Sequence, residues 1–166
     1  SRTIVRLPVR CATAESACEL MDNRLISMAV EHLPEYRDVL PVGAAVALLV
    51  EHTGRTQEEV KQKIKQTDSA VAHLTGNRTI VLDEQVQKRI WKARKDAVPL
   101  LERGQGKKRP VPFIEDVSVE NSKLAEYIAG LEKIGHKFDI AMTFYGHAGD
   151  GELHVRPYLD LSDPAD

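Results

Sequence analysis

The stretch that most constrains the fold is residues 146–158, which read Gly-His-Ala-Gly-Asp-Gly-Glu-Leu-His-Val-Arg-Pro-Tyr. Apolar, strand-like sequence precedes it at residues 140–145 and continues through residues 153–158. Between these runs lie glycines and an aspartate, which favour a tight turn. The pattern predicts a β-hairpin near the end of the chain, and a hairpin requires a sheet.

Two histidines, His147 and His154, flank the predicted turn. Residues on either side of a hairpin turn can face each other across the strand pair. Neutral imidazole is a common protein ligand for metals, so the spacing is compatible with a shared metal ion. Asp-Gly in a hairpin is also ordinary turn chemistry, and the pattern alone leaves both interpretations open.

The size and charge of the chain exclude several functional classes. Its 166 residues suit one domain with a sizeable core. The net charge of −2 provides no basic field for nucleic acid or an anionic membrane. No run of eighteen apolar residues predicts a membrane span. Cys11 and Cys18 lack metal-type spacing and suit a reduced protein. We therefore expect a cytoplasmic location, with a peripheral position at the membrane as an alternative for the intact enzyme.

The remaining chain alternates between strand and helix patterns. Helices are predicted after the capping residues Asp22, Thr56 and Asp83, and from Glu120 or Asn121 to about residue 136. Strands are predicted at residues 44–50, 78–82, 112–119, 139–145 and 153–159, with the apolar 44–50 run as a buried central strand. Residues 3–9 suit either an edge strand or the remnant of a longer element. This order predicts an α+β fold, in which helices cover one face of a mainly antiparallel, ferredoxin-like sheet.

Four segments together resemble a known family. They are Gly-His-Ala-Gly-Asp-Gly-x-Leu-His at 146–154, Phe-Ile-Glu-Asp-Val-Ser-Val at 113–119, Glu-Leu-Met-Asp at 19–22 and Trp-Lys-Ala-Arg at 91–94. In this order they resemble the cap domain of FAD-linked oxidases, the flavin dehydrogenases of D-lactate, glycolate and D-2-hydroxyglutarate. The ending Val-Arg-Pro at 155–157 with Asp-Pro at 163–164 resembles the branch that is fused to iron–sulfur modules.

The resemblance implies a reaction and a set of site residues. The whole enzyme would oxidise a 2-hydroxy acid to a 2-oxo acid by hydride transfer to FAD. His147 and His154 would hold a divalent metal such as Zn or Mn, or one of them would act as the catalytic base. Arg94 would bind the substrate carboxylate, for which a planar guanidinium is well suited. Glu152, where the family usually has Asn, is a second predicted substrate-binding residue.

The resemblance also implies a domain arrangement. Residues 1–166 would be a single cap domain of a longer flavoenzyme, because the family's flavin-binding domain and its third metal ligand lie outside the matching segment. The sequence has no G-x-G-x-x-G fingerprint, so we expect the isolated chain to be inactive. The expected partners are a small 2-hydroxy acid and the flavin-binding domain of the same polypeptide, with iron–sulfur clusters in a fused module as a further implied cofactor.

A different class of function is compatible with the same fold. A ferredoxin-like module without catalysis could bind a small anion or a protein partner, with both histidines serving structural roles. A flavin-binding domain encoded in the flanking gene sequence would favour the enzyme, and its absence would favour the binding module.

Overall fold

The structure is a computed structural model that describes residues 17–74, 77–102 and 106–164. The element predicted at residues 3–9 lies outside the described residues. The strands are β1 (Ala17–Asp22), β2 (Val46–Glu51), β3 (Arg109–Pro110), β4 (Ile114–Ser118), β5 (Met142–Gly146) and β6 (Glu152–Leu159). The helices are α1 (Asn23–His32), α2 (Gln57–Ala70), α3 (Glu84–Glu102) and α4 (Leu124–Phe138).

The strands form one antiparallel sheet in the order β2-β1-β5-β6, with β4 and β3 both pairing with β6. The central strands β1 and β5 come from opposite ends of the sequence and pair at Leu20–Gly146 and Met21–Tyr145. This long-range pairing brings the segment around Glu19 beside the hairpin. The predicted α+β class and mainly antiparallel sheet are confirmed.

Helices cover both faces of the sheet, which corrects the prediction of one covered face. Neighbouring strand residues point to opposite faces. Met21 and Tyr145 therefore share one core cluster with residues of α1 and α3. Leu20 and Phe144 belong to a second cluster, packed against α4. Both β1 and β5 carry apolar residues on their two sides, and a sheet with two apolar faces requires two helical layers.

The predicted helix starts are confirmed by their capping contacts. Asp22 Oδ1 accepts from the Leu25 N–H at 2.8 Å, and Thr56 Oγ1 accepts from the Glu59 N–H at 3.2 Å. Asp83 Oδ1 accepts from the Val86 N–H at 2.9 Å. These side chains satisfy backbone donors that have no partner within the first helical turn.

Asp22 also connects α1 to the centre of the sheet. Its second oxygen accepts from the Phe144 N–H on β5 at 2.8 Å. Burial raises the pKa of the Asp22 carboxyl to about 6, although the hydrogen bonds from the Leu25 and Phe144 N–H groups lower it. One carboxylate therefore caps a helix and fixes its position against the hairpin.

Helix α4 extends beyond its predicted end at Gly135-His136. It continues to Phe138, and Asp139 then takes the left-handed conformation with φ 55°. A Cβ at residue 135 would lie 2.7 Å from the Ile140 carbonyl oxygen. Gly135 therefore allows the close return of the chain toward β5 and does not stop the helix.

Two strand predictions need correction. Residues 78–82 form no strand in the structure, although they include Ile80, Val81 and Leu82, because no neighbouring strand pairs with them among the described residues. The apolar 44–50 run does form β2, but within the described residues this strand pairs with β1 alone and is mostly half-buried. Its position is therefore not that of the predicted central strand.

Two smaller features complete the fold. His52 lies just after β2, and its Nε2 is 2.8 Å from Thr67 Oγ1 on α2. This contact ties α2 to the end of the strand. No helix within the described ranges is long and apolar enough to cross a lipid bilayer.

Candidate metal centre

The predicted hairpin is confirmed, but its register differs from the simplest expectation. Strands β5 and β6 pair from Met142–Pro157 to Tyr145–His154. The residue directly opposite His154 is therefore Tyr145. His147 lies beyond the paired region, at the start of a short 3₁₀ turn formed by residues 148–150. Its position depends on the turn and not on cross-strand pairing.

Backbone contacts fix the shape of this turn. The His147 carbonyl oxygen accepts from the N–H groups of Asp150 at 3.0 Å and Glu152 at 3.1 Å. Gly151 has φ 70°, and its carbonyl accepts from the Val119 N–H at 2.9 Å. A Cβ at residue 151 would lie 2.0 Å from the Val119 carbonyl oxygen. The turn thus packs against the segment that follows β4, and only glycine fits at this contact.

Three potential metal ligands come together beside the turn. His147, Glu152 and His154 each offer one nitrogen or oxygen ligand atom, and these atoms all lie within 4.8 Å of one another. Glu152 and His154 are two residues apart on β6, so their side chains lie on the same face of the sheet. Two imidazoles and a carboxylate are a ligand set used for divalent metals, including catalytic zinc. The residues present therefore fit a metal ion by their chemistry and spacing.

A buried carboxylate on β1 holds the first histidine. Glu19 Oε1 lies 2.6 Å from His147 Nδ1, and Glu19 Oε2 accepts from the Arg94 guanidinium at 2.9 Å. The side chains of Glu19 and Arg94 are 10% and 11% exposed, so this ion pair is largely shielded from solvent. A carboxylate at Nδ1 favours the tautomer with the proton there, which leaves Nε2 for a ligand.

A second carboxylate, on β4, contacts the other histidine. Glu115 Oε2 lies 3.0 Å from His154 Nδ1, and Glu115 Oε1 lies 2.6 Å from Arg156 Nε. Glu115 belongs to the strand predicted at residues 112–119, where it was one of two adjacent acidic residues that could in principle ligate a metal, and the structure puts it beside His154. Each histidine thus has a glutamate at its Nδ1 atom, and each glutamate has an arginine.

Tyr145 lies between the two arginine–glutamate pairs. Its ring centroid is 4.9 Å from that of His154. The guanidinium carbons of Arg94 and Arg156 lie 5.3 Å and 5.9 Å from the ring centroid. The Tyr145 ring presents its electron-rich face to both cations, and burial raises the pKa of its hydroxyl.

The structure therefore brings all four predicted site residues into one network. His147, His154 and Glu152 meet directly, whereas Arg94 reaches the cluster through Glu19. The Arg94 Nε is buried without a hydrogen-bond partner among the described residues, so the ion pair with Glu19 leaves at least one guanidinium donor of Arg94 unused. The roles assigned to these four residues stay predictions.

Sequence reasoning missed Glu19, Tyr145 and Arg156 as components of this site. Glu19 belongs to one of the four family-like segments, which was its only signal. Arg156 follows His154 by two residues, and strand alternation places both on one face. That spacing was available in the sequence, but the partner glutamate on β4 was not.

Comparisons with known proteins agree with this architecture. Residues 4–166 match the family model described as FAD linked oxidases, C-terminal domain. The chain is 32% identical over 158 residues to a D-2-hydroxyglutarate dehydrogenase of Pseudomonas putida, covering 88% of this chain and 16% of that protein. It is 28% identical over 165 residues to the glycolate oxidase subunit GlcD of Bacillus subtilis, covering 90% of this chain and 33% of that protein.

A solved structure supports the fold. The 4-ethylphenol oxidase from Gulosibacter chungangensis, in its isoeugenol complex, matches with a TM-score of 0.52 and 12% sequence identity, over 90% of this chain and 34% of that chain. At this identity the similarity concerns the fold alone. The family resemblance drawn from the four sequence segments is confirmed by the family match over residues 4–166. The chain belongs to the family of FAD-linked oxidases, as a C-terminal domain.

Proposed function

We propose that this chain is the substrate-binding cap domain of an FAD-dependent dehydrogenase of D-2-hydroxy acids, of the D-lactate, glycolate or D-2-hydroxyglutarate type. Its family and the names of its relatives support this class. The chain spans 16% of the Pseudomonas relative and 33% of the Bacillus relative. The partners we propose are a small 2-hydroxy acid and a flavin-binding domain of the same polypeptide, in the cytoplasm.

His147 and His154 hold a divalent metal such as Zn or Mn in this proposal. The observation that carries it is the meeting of their ligand atoms with that of Glu152 within 4.8 Å. The hydrogen bond between His147 Nδ1 and Glu19 adds support, because metal-binding histidines commonly donate their other N–H to a carboxylate. Glu115 lies 3.0 Å from His154 Nδ1, in a corresponding position. When bound, the metal supplies Lewis acidity that lowers the pKa of the substrate hydroxyl, and FAD supplies the hydride acceptor.

The residues of the chain would orient the substrate and hold its charge. Arg94 contacts Glu19, which also contacts His147, and the guanidinium donor that Glu19 does not use would bind a substrate carboxylate. Glu19 holds this guanidinium in place, so its geometry is set before substrate arrives. In the absence of a metal, His147 or His154 would be the proton acceptor for the hydroxyl group.

The experiment uses the complete enzyme that contains this chain. Purified protein is assayed for bound metal and for oxidation of D-lactate, glycolate and D-2-hydroxyglutarate with a dye acceptor. His154→Ala should lower metal content and turnover together. His136→Ala is the matched control, because this exposed histidine lies in the last turn of α4, away from the cluster.

Three results would count against the proposal. Turnover of none of the three acids would contradict the assigned substrate class. Full metal content and full turnover in His154→Ala would remove the metal role of His154. Equal losses in His154→Ala and His136→Ala would show a general effect of histidine removal, without a specific site.

A further inference from the structure

The charges around the candidate metal centre are unevenly compensated. Glu19 is paired with Arg94, and Glu115 with Arg156. Glu152 takes part in no ion pair among the described residues. Glu152 is therefore the carboxylate of the cluster that has no ion-pair partner among the described residues.

The position of Glu152 is fixed by the backbone. Its N–H donates to the His147 carbonyl oxygen at 3.1 Å, which ties the first residue of β6 to the start of the turn. Strand alternation then puts its carboxylate on the same face as the imidazole of His154. The fixed turn and the strand together bring its ligand atom within 4.8 Å of those of both histidines.

We infer that Glu152 is the third metal ligand, so that this chain binds a divalent cation with its own residues alone. This inference rests on the proposed metal role of His147 and His154. It assigns Glu152 to the metal, in place of the predicted substrate contact and of the expected third ligand outside the matching segment. Catalytic zinc sites use three protein ligands and leave a further position open, and two histidines with one glutamate form such a set.

The inference changes what is expected of the chain by itself. Two histidines alone would bind a divalent ion weakly. A carboxylate as third ligand adds both a coordinating oxygen and the attraction of a negative charge in a partly buried site. The 166-residue chain should therefore take up one Zn²⁺ or Mn²⁺ without flavin, substrate or any other part of the enzyme.

The test is a titration of the 166-residue chain with Zn²⁺, and separately with Mn²⁺, by isothermal calorimetry in the absence of any hydroxy acid. The parent chain is compared with Glu152→Gln, which keeps the size of the side chain but removes its charge. Glu120→Gln is the matched control, because Glu120 is exposed and outside the cluster. His154→Ala reports on the histidine ligands. Far-ultraviolet circular dichroism verifies the fold of every variant.

We expect one ion per parent chain, and a similar affinity for Glu120→Gln. Glu152→Gln should weaken binding by at least the ~10–100-fold that loss of an outer-shell partner costs at metal sites. If Glu152→Gln binds like the parent while His154→Ala does not bind, the inference is overturned and the histidine site stands. If the folded parent chain binds neither ion, three ligands of this chain do not suffice, and the inference is overturned.

Discussion

Gly151 offers the sharpest test of how the turn is built. Two costs arise from Gly151→Ala. A non-glycine residue in the left-handed conformation costs about 1–2 kcal/mol. The new Cβ would also lie 2.0 Å from the Val119 carbonyl oxygen and 2.6 Å from Asn121 Oδ1, whereas real Cβ atoms essentially never come within 3.0 Å of a neighbour.

The turn cannot move away from this contact without breaking hydrogen bonds. The Val119 N–H donates to the Gly151 carbonyl at 2.9 Å, and the Asn121 side-chain amide donates to the Gly149 carbonyl at 2.6 Å. Breaking one such bond costs about 1 kcal/mol, and strain from overpacking adds about 1–3 kcal/mol. The free energy of unfolding should therefore fall by roughly 3–6 kcal/mol in Gly151→Ala.

Gly43 provides the matched control. It has φ 79°, and a Cβ at this position would meet nothing within 4 Å. Gly43→Ala should therefore lose only the backbone term of about 1–2 kcal/mol. Urea unfolding followed by the emission of Trp91, the only tryptophan, measures both variants. Equal losses in the two variants would refute the close contact between the turn and the segment after β4.

Three further predictions concern side chains at or beside the site. Glu19→Gln should weaken metal binding by ~10–100-fold, because it removes the carboxylate at His147 Nδ1. Glu51→Gln is the control and should leave metal binding unchanged, because Glu51 contacts Trp91 and not a histidine of the cluster. Calorimetry measures the metal affinity of both variants. As pH rises from 4 to 7, the parent should lose about 2 kcal/mol of stability relative to Asp22→Asn. The pKa of Asp22 is about 6 in the folded state and 3.8 ordinarily, so the folded state binds the extra proton and this stabilisation is lost as the pH rises past the folded-state pKa. Urea unfolding of both variants at several pH values measures the effect, and parallel stability curves would contradict it. Arg94→Lys should lower hydroxy-acid turnover of the complete enzyme although it retains the charge, because lysine lacks the planar guanidinium that binds a carboxylate through two N–H groups. Steady-state kinetics measures this effect. Unchanged turnover would show that Arg94 only supports Glu19.

Local signals predicted much of the fold. The caps at Asp22, Thr56 and Asp83 depend on residues three positions apart, so the sequence contains both partners of each contact. The hairpin was also predictable, because both of its strands and its turn lie in one short segment. The strand predicted at 78–82 was wrong because β-branched and apolar residues indicate a preference, whereas a strand also needs a neighbour to pair with.

The site was predictable only in part. His147 and His154 lie in one short segment, and their common location follows from the hairpin. The cross-strand reasoning for them was wrong in detail, since Tyr145 is the residue opposite His154. The glutamates behind the histidines could not be placed, because Glu19 and His147 are 128 residues apart and meet only through the β1–β5 pairing.

The central claim is that His147, Glu152 and His154 bind one metal ion. Crystals of the chain grown with Zn²⁺, with diffraction data collected at the zinc absorption edge, test it most directly. We expect one anomalous peak on this face of the sheet, at about 2.0–2.2 Å from one ligand atom of each of the three residues. Zinc bound elsewhere, or the two imidazoles pointing to opposite faces of the sheet, would show that the three residues do not share an ion.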